Sequence, residues 1–168
     1  MPDKAEIFVF WPLAVLLVGF AAGVLAARNP VYAAMSLVGA FFCMAGLYVL
    51  LAAHLVAFLQ ILVYAGAIMV LFLFVIMLLS LSDEELGVSR MKAMQAFGAL
   101  GGIGLLAVVV VAVRASGERG MPPVDARFGT VKAVAEVLFR QYLLPFEATS
   151  VLLLVAIVGA VIVAKQRV

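Results

Sequence analysis

The side chains able to do chemistry are few, and their types exclude most of it. The chain has one histidine, His54, and one cysteine, Cys43. A haem held across helices by paired histidines needs more than one. A structural zinc site needs about four nitrogen or sulfur ligands, and an iron–sulfur cluster roughly four thiolates. None of these can be built from this chain alone. A Ser–His–Asp or Cys–His arrangement would have to use His54. That residue sits between two apolar runs and reads as a residue at a membrane–water boundary. Cys43 lies inside an apolar run without a partner, so no internal disulfide forms, and it reads as a small packing residue. A formal net charge of +2 is too small to point to nucleic acid.

The polar exceptions gather in LVAFLQILVYAGAIMVLFLFVIMLLSL, residues 55–81. Gln60 and Tyr64 stand one α-helical turn apart, which puts them on one face with Ala67 and Ile68 continuing it. An amide and a phenol in such a run face protein or water. Ala65-Gly66-Ala67 thins the helix there and admits a close neighbour. Two readings stay open: a hydrated or mobile contact zone, or polar groups bonding a neighbouring helix. The run exceeds what one straight span needs. Tilt absorbs that, and so does a π-bulge, a feature frequent at functional sites. Glu147 is the other candidate. It is either a proton relay or an acid placed for the helix dipole and for snorkelling.

These residues must be positioned by membrane-spanning elements. The chain is 68% apolar and only 12% charged, and its mean hydropathy is +1.30. A soluble domain runs near half apolar and about a quarter charged. The charges divide the sequence into runs free of Asp, Glu, Lys and Arg at 7–27, 29–53, 55–82, 93–113 and 148–164. A helix needs about 20 apolar residues to cross about 30 Å of hydrocarbon, and backbone at that depth must satisfy itself. The fold class is therefore an all-α integral membrane protein. Its five transmembrane helices are expected at about 7–27, 31–53, 55–80, 93–113 and 146–164, in a single membrane domain 1–168.

Asn29-Pro30 suits a tight connection, with Pro30 in the first turn of the second helix. Residues 83–92 form a short polar loop and 114–129 the longest one. In the stretch that follows, Lys132, Glu136 and Arg140 share one helical face, and Val131, Val134, Leu138 and Tyr142 another. This predicts an interfacial amphipathic helix at about 130–142, separated from the last span by Pro145. Gly19/Gly23, Gly98/Gly102 and Ala156/Ala160/Ala164 suggest faces packed closely on other helices, some from other subunits. Discounting the basic residues of the 114–141 connection, the positive charges put the C-terminus in the cytoplasm. Because no ionisable group lies inside the five runs, the chain cannot relay protons through carboxylates of its own.

The words LQILVYAGAIMVLFLFVIMLL at 59–79, AGLYVLL at 45–51, Asn29-Pro30 and YLLPFEATSVLLLVAIVGAVIVAK at 142–165 resemble subunit J of bacterial NADH:quinone oxidoreductase. That subunit is the counterpart of the sixth mitochondrially encoded NADH dehydrogenase subunit of respiratory complex I. The resemblance implies a five-helix subunit of a proton-translocating complex, with no redox centre and no cofactor of its own. NADH, FMN, iron–sulfur clusters and quinone belong to the parent complex. It implies subunits H, A, K and N and the lipid of the bacterial inner membrane as neighbours. It also implies a third helix with a π-bulge near Tyr64–Val70, bordering a water path toward glutamates of the K subunit. The family's notable positions fall on Tyr64, Gly66, Met69, Val70 and Phe72, and Glu147 matches the acid of its PFE word. Rival classes are an independent small oligomeric transporter or channel, and a purely structural subunit of a related quinone- or ferredoxin-linked complex.

Overall fold

The computed structural model describes residues 4–79, 92–115 and 127–165, and every element among them is a helix. In chain order these are α1 (Lys4–Ala26) and α2 (Pro30–Leu50), then α3 (His54–Leu79) and α4 (Lys92–Ala115). They are followed by α5 (Val131–Gln141) and α6 (Leu143–Ala164). Four of them, α1, α2, α3 and α6, are long and apolar enough to cross a membrane, and α4 adds a shorter apolar stretch, Leu100–Ala115. Residues 83–91 of the expected polar loop and residues 116–126 of the longest loop lie outside the described residues, and Lys92, expected in the polar loop, opens α4.

The α1–α2 connection is tight because Asn29 caps α2. Its Oδ1 accepts the Val31 N–H at 2.8 Å, and Pro30, which has no N–H to satisfy, takes the first helical position. The two helices then run antiparallel and meet through small residues. Ser36 Oγ lies 3.1 Å from where a Cβ on Gly23 would sit, the Phe20 ring lies against Gly39, and Leu13 lies against Gly46. Each step along α1 is matched by an equal step back along α2, so the three pairs form one seam. Gly19, the partner of Gly23 in the GxxxG spacing, has nothing within 4 Å, and neither has Gly98 or Gly102. Of these four glycines, only Gly23 meets another helix among the described residues.

The second helix ends earlier than the apolar run 31–53 suggests. Leu51 is its C-cap, and Ala52 turns left-handed at φ 57°. The Ala52 N–H donates to the Val49 carbonyl at 3.0 Å and the Ala53 N–H to the Tyr48 carbonyl at 2.9 Å. This left-handed ending is the one glycine usually makes. An alanine there carries a Cβ in a region that costs about 1 kcal/mol or more. Ala52→Gly is expected to stabilise the chain by about 1 kcal/mol. Thermal unfolding of the detergent-extracted complex reads this, and an unchanged or lowered midpoint would contradict it.

The break between α5 and α6 falls at Tyr142, because the Pro145 ring excludes an α-helical carbonyl at Gln141, the last residue of α5. Pro145 then sits in the first turn of α6, where its missing N–H costs nothing, so that helix starts at Leu143 rather than near 146. Phe139 and Phe146 pack edge to face across the bend at 5.1 Å.

Among the described residues, the buried ones are Ala34, Ala40, Cys43 and Ala45 on α2 and Ala57, Gln60, Ala65 and Met69 on α3. The interior of the chain is thus the α2–α3 contact, with α1 laid on the other side of α2. The described side chains of α4 and α6 are exposed throughout.

Candidate functional site

Within α3, Gln60–Ile68 winds as a π-helix. The segment closes where the Met69 N–H reaches back five residues to the Tyr64 carbonyl. The widened turn sets the Ile61 carbonyl oxygen against Gly66, 3.2 Å from where a Cβ would stand. Glycine admits that approach, and larger residues crowd it. The family resemblance implies a π-bulge near Tyr64–Val70. In the structure the π winding starts earlier, at Gln60, and is nine residues long.

This winding decides which side chains share a face. From Ala57 onward, the buried and half-buried positions of α3 are Ala57, Gln60, Ala65, Met69, Leu73 and Ile76. Their spacings are three or four residues, as 3.6 residues per turn demands, except for five between Gln60 and Ala65. A five-residue step overshoots an α-turn but matches a turn whose bonds reach back five residues. The π segment therefore keeps Gln60, Ala65 and Met69 in one stripe against α2.

It also corrects the shared face expected for Gln60 and Tyr64. Gln60 is 6% exposed and Tyr64 49%, because widening the turn carries Tyr64 away from the Gln60 stripe. Ala67 and Ile68 stay on the exposed side as well. Tyr64 still meets α2 through one edge-to-face contact with Phe41, centroids 5.9 Å apart. Of the remaining sequence candidates, Met69 is 4% exposed, while Val70 and Phe72 are exposed on the chain's own surface. Glu147 lies apart, on the exposed surface of α6, whose main packing in this chain is on α5. Near it the hydroxyls bond their own helix: Ser150 Oγ donates to the Glu147 carbonyl at 2.7 Å and Thr149 Oγ1 to the Pro145 carbonyl at 2.6 Å. His54 opens α3 and is exposed. Among the described residues, no three of His, Cys, Asp and Glu converge on a metal-sized site.

Phe41, the ring partner of Tyr64, carries no sequence signal, since it is one apolar residue among many on α2. Gly129 is a second residue that sequence reasoning passes over. Its signal is present but local: it directly precedes Thr130, the N-cap of α5.

Helices of this length and apolarity define a multi-pass membrane protein. Comparison with known proteins places it further. Residues 20–163 match the family described as NADH-ubiquinone/plastoquinone oxidoreductase chain 6. The NAD(P)H-quinone oxidoreductase chain 6 of a Synechocystis species is 39% identical over 99% of this chain and 84% of its own length. The NADH-quinone oxidoreductase subunit J of Rhodobacter capsulatus is 34% identical over 96% and 82%. The F(420)H(2) dehydrogenase subunit J of Methanosarcina mazei is 34% identical over 95% and 91%. The chain belongs to the subunit J, or chain 6, family of NADH-quinone oxidoreductases.

Proposed function

We propose that the chain is a membrane-arm subunit of a proton-translocating quinone oxidoreductase, holding no redox centre, in which α3 links quinone reduction to proton movement. The observation that carries this is the π segment Gln60–Ile68, set within a 26-residue apolar helix free of Asp, Glu, Lys and Arg. A helix without carboxylates cannot relay protons itself. A helix with two available windings can open or close a water path to glutamates of a neighbouring subunit. Tyr64 and Gly66 lie within the segment, Met69 closes it, and Val70 and Phe72 follow on the exposed side, where a neighbour would read a rotation. Gln60 anchors the segment to α2. Glu147 faces outward at the start of α6, available to a partner or to the membrane surface.

On this reading α4 is a fifth span and α5 lies at the interface. The partners are the other membrane subunits, H, A, K and N in the bacterial complex. The setting is the bacterial inner membrane, with the C-terminus cytoplasmic. The relatives' names carry different donors, NADH, NAD(P)H and reduced F420. This supports a role on the quinone and proton side of the complex rather than at the donor. NADH, FMN and the iron–sulfur clusters would then reside in other subunits.

Val70→Gly tests the reading. It is expected to leave the complex assembled, as seen by native gel with an in-gel dehydrogenase stain, and to lose proton pumping in inverted membrane vesicles. Unchanged pumping counts against the reading. Migration of the chain only at its own mass would favour an independent transporter instead. A purely structural role would leave pumping intact in Tyr64→Phe.

A further inference from the structure

We propose that the turn Arg127–Thr130 is a positioning site for α3: the Gly129 backbone caps the start of that helix and ties it to α5. A helix start leaves backbone donors without partners in its own helix. At α3 the N-cap is Ala53, whose side chain offers no acceptor. The Ala53 N–H is taken by the Tyr48 carbonyl as α2 ends, and the Leu55 N–H is taken by the Gly129 carbonyl at 3.1 Å. The cap therefore comes from a distant loop. Its setting is apolar: Ala53, Val56, Phe128, Ala133, Val137 and Leu138 line an open groove of about 380 Å³ beside it. A bare amide is costly in such surroundings.

Glycine is required at 129 on two counts. Its φ is +69°, and a Cβ there would overlap the carbonyl oxygen of Ala52. Two left-handed residues, Ala52 and Gly129, thus meet backbone to backbone. The next residue caps the other helix: Thr130 Oγ1 accepts the Ala133 N–H at 3.4 Å and donates to the Arg127 carbonyl at 2.7 Å. One turn ends two helices at once, so a shift of α5 is passed to the start of α3. Its consequence for coupling rests on the function proposed above; its geometry does not.

Hydrogen exchange of the assembled complex reads the cap directly. In the wild type the Leu55 amide is expected to exchange slowly. Gly129→Ala is expected to speed exchange over Leu55–Phe58 by about three- to tenfold, the range one lost hydrogen bond gives. The increase is expected to extend into Gln60–Ile68 and to leave α1 unchanged. Gly129→Asn tolerates the left-handed φ but keeps a Cβ, and is expected to behave as Gly129→Ala. Thr130→Val, which removes both hydroxyl bonds without the overlap, is expected to raise exchange at Leu55 more modestly. An unprotected Leu55 in the wild type, restoration by Asn, no rise in Thr130→Val, or an increase that stops short of the π segment would each overturn the inference. Proton yield measured in parallel separates it from the coupling reading. If Val70→Gly pumps normally, the coupling reading fails while exchange still decides the cap. If Val70→Gly uncouples and the Gly129 variants exchange as the wild type does, only the cap fails.

Discussion

Gly66→Ala is expected to remove most proton translocation while electron transfer to quinone and assembly persist. The Ile61 carbonyl oxygen, 3.2 Å from the new Cβ, must move by some tenths of an ångström, and only the π winding brings it there. The substitution therefore shifts the balance from π towards α. Restoring the α winding would also move Ala65 off the stripe it shares with Gln60 and Met69. The measurement is protons moved per electron pair in inverted vesicles, with donor oxidation followed in the same sample. A wild-type ratio in Gly66→Ala would mean that the π winding is not used in coupling.

The second large effect concerns stability. Gly39→Val is expected to prevent stable incorporation of the chain. Even a Cβ at position 39 would stand 2.8–3.0 Å from three atoms of the Phe20 ring, and valine adds two more carbons there. Overpacking of this kind costs about 1–3 kcal/mol or more, and the α1–α2 seam has few ways to relax because Gly23–Ser36 and Gly46–Leu13 hold it on either side. Removing the ring in Phe20→Ala is expected to recover part of the loss in the double variant, since space rather than chemistry is at issue. Quantitative immunoblotting of native gels gives the amount of assembled complex. Equal recovery without the second substitution would refute the seam.

Much of this protein is readable without coordinates. The charge-free runs require backbone that satisfies itself in lipid, so helices follow. The lone histidine and cysteine exclude metal and haem centres built from this chain alone. The words around Gln60–Leu79 and Tyr142–Lys165 place it in its family, which the matches to chain 6 and subunit J proteins bear out. Asn29-Pro30 marks a helix start because capping is local chemistry, read within a few residues.

What the tertiary structure alone decided is of another kind. Whether an amide reaches back four residues or five costs nearly the same in side-chain terms. Composition therefore could not show that Gln60 and Tyr64 part company, or that Ala65 joins Gln60 and Met69. The winding is seen only with α3 packed on α2. The Phe41–Tyr64 contact, the stepped α1–α2 seam and the Gly129 cap on Leu55 join residues far apart in the chain. Their identities are ordinary, and their meaning arises only where folding brings their elements together.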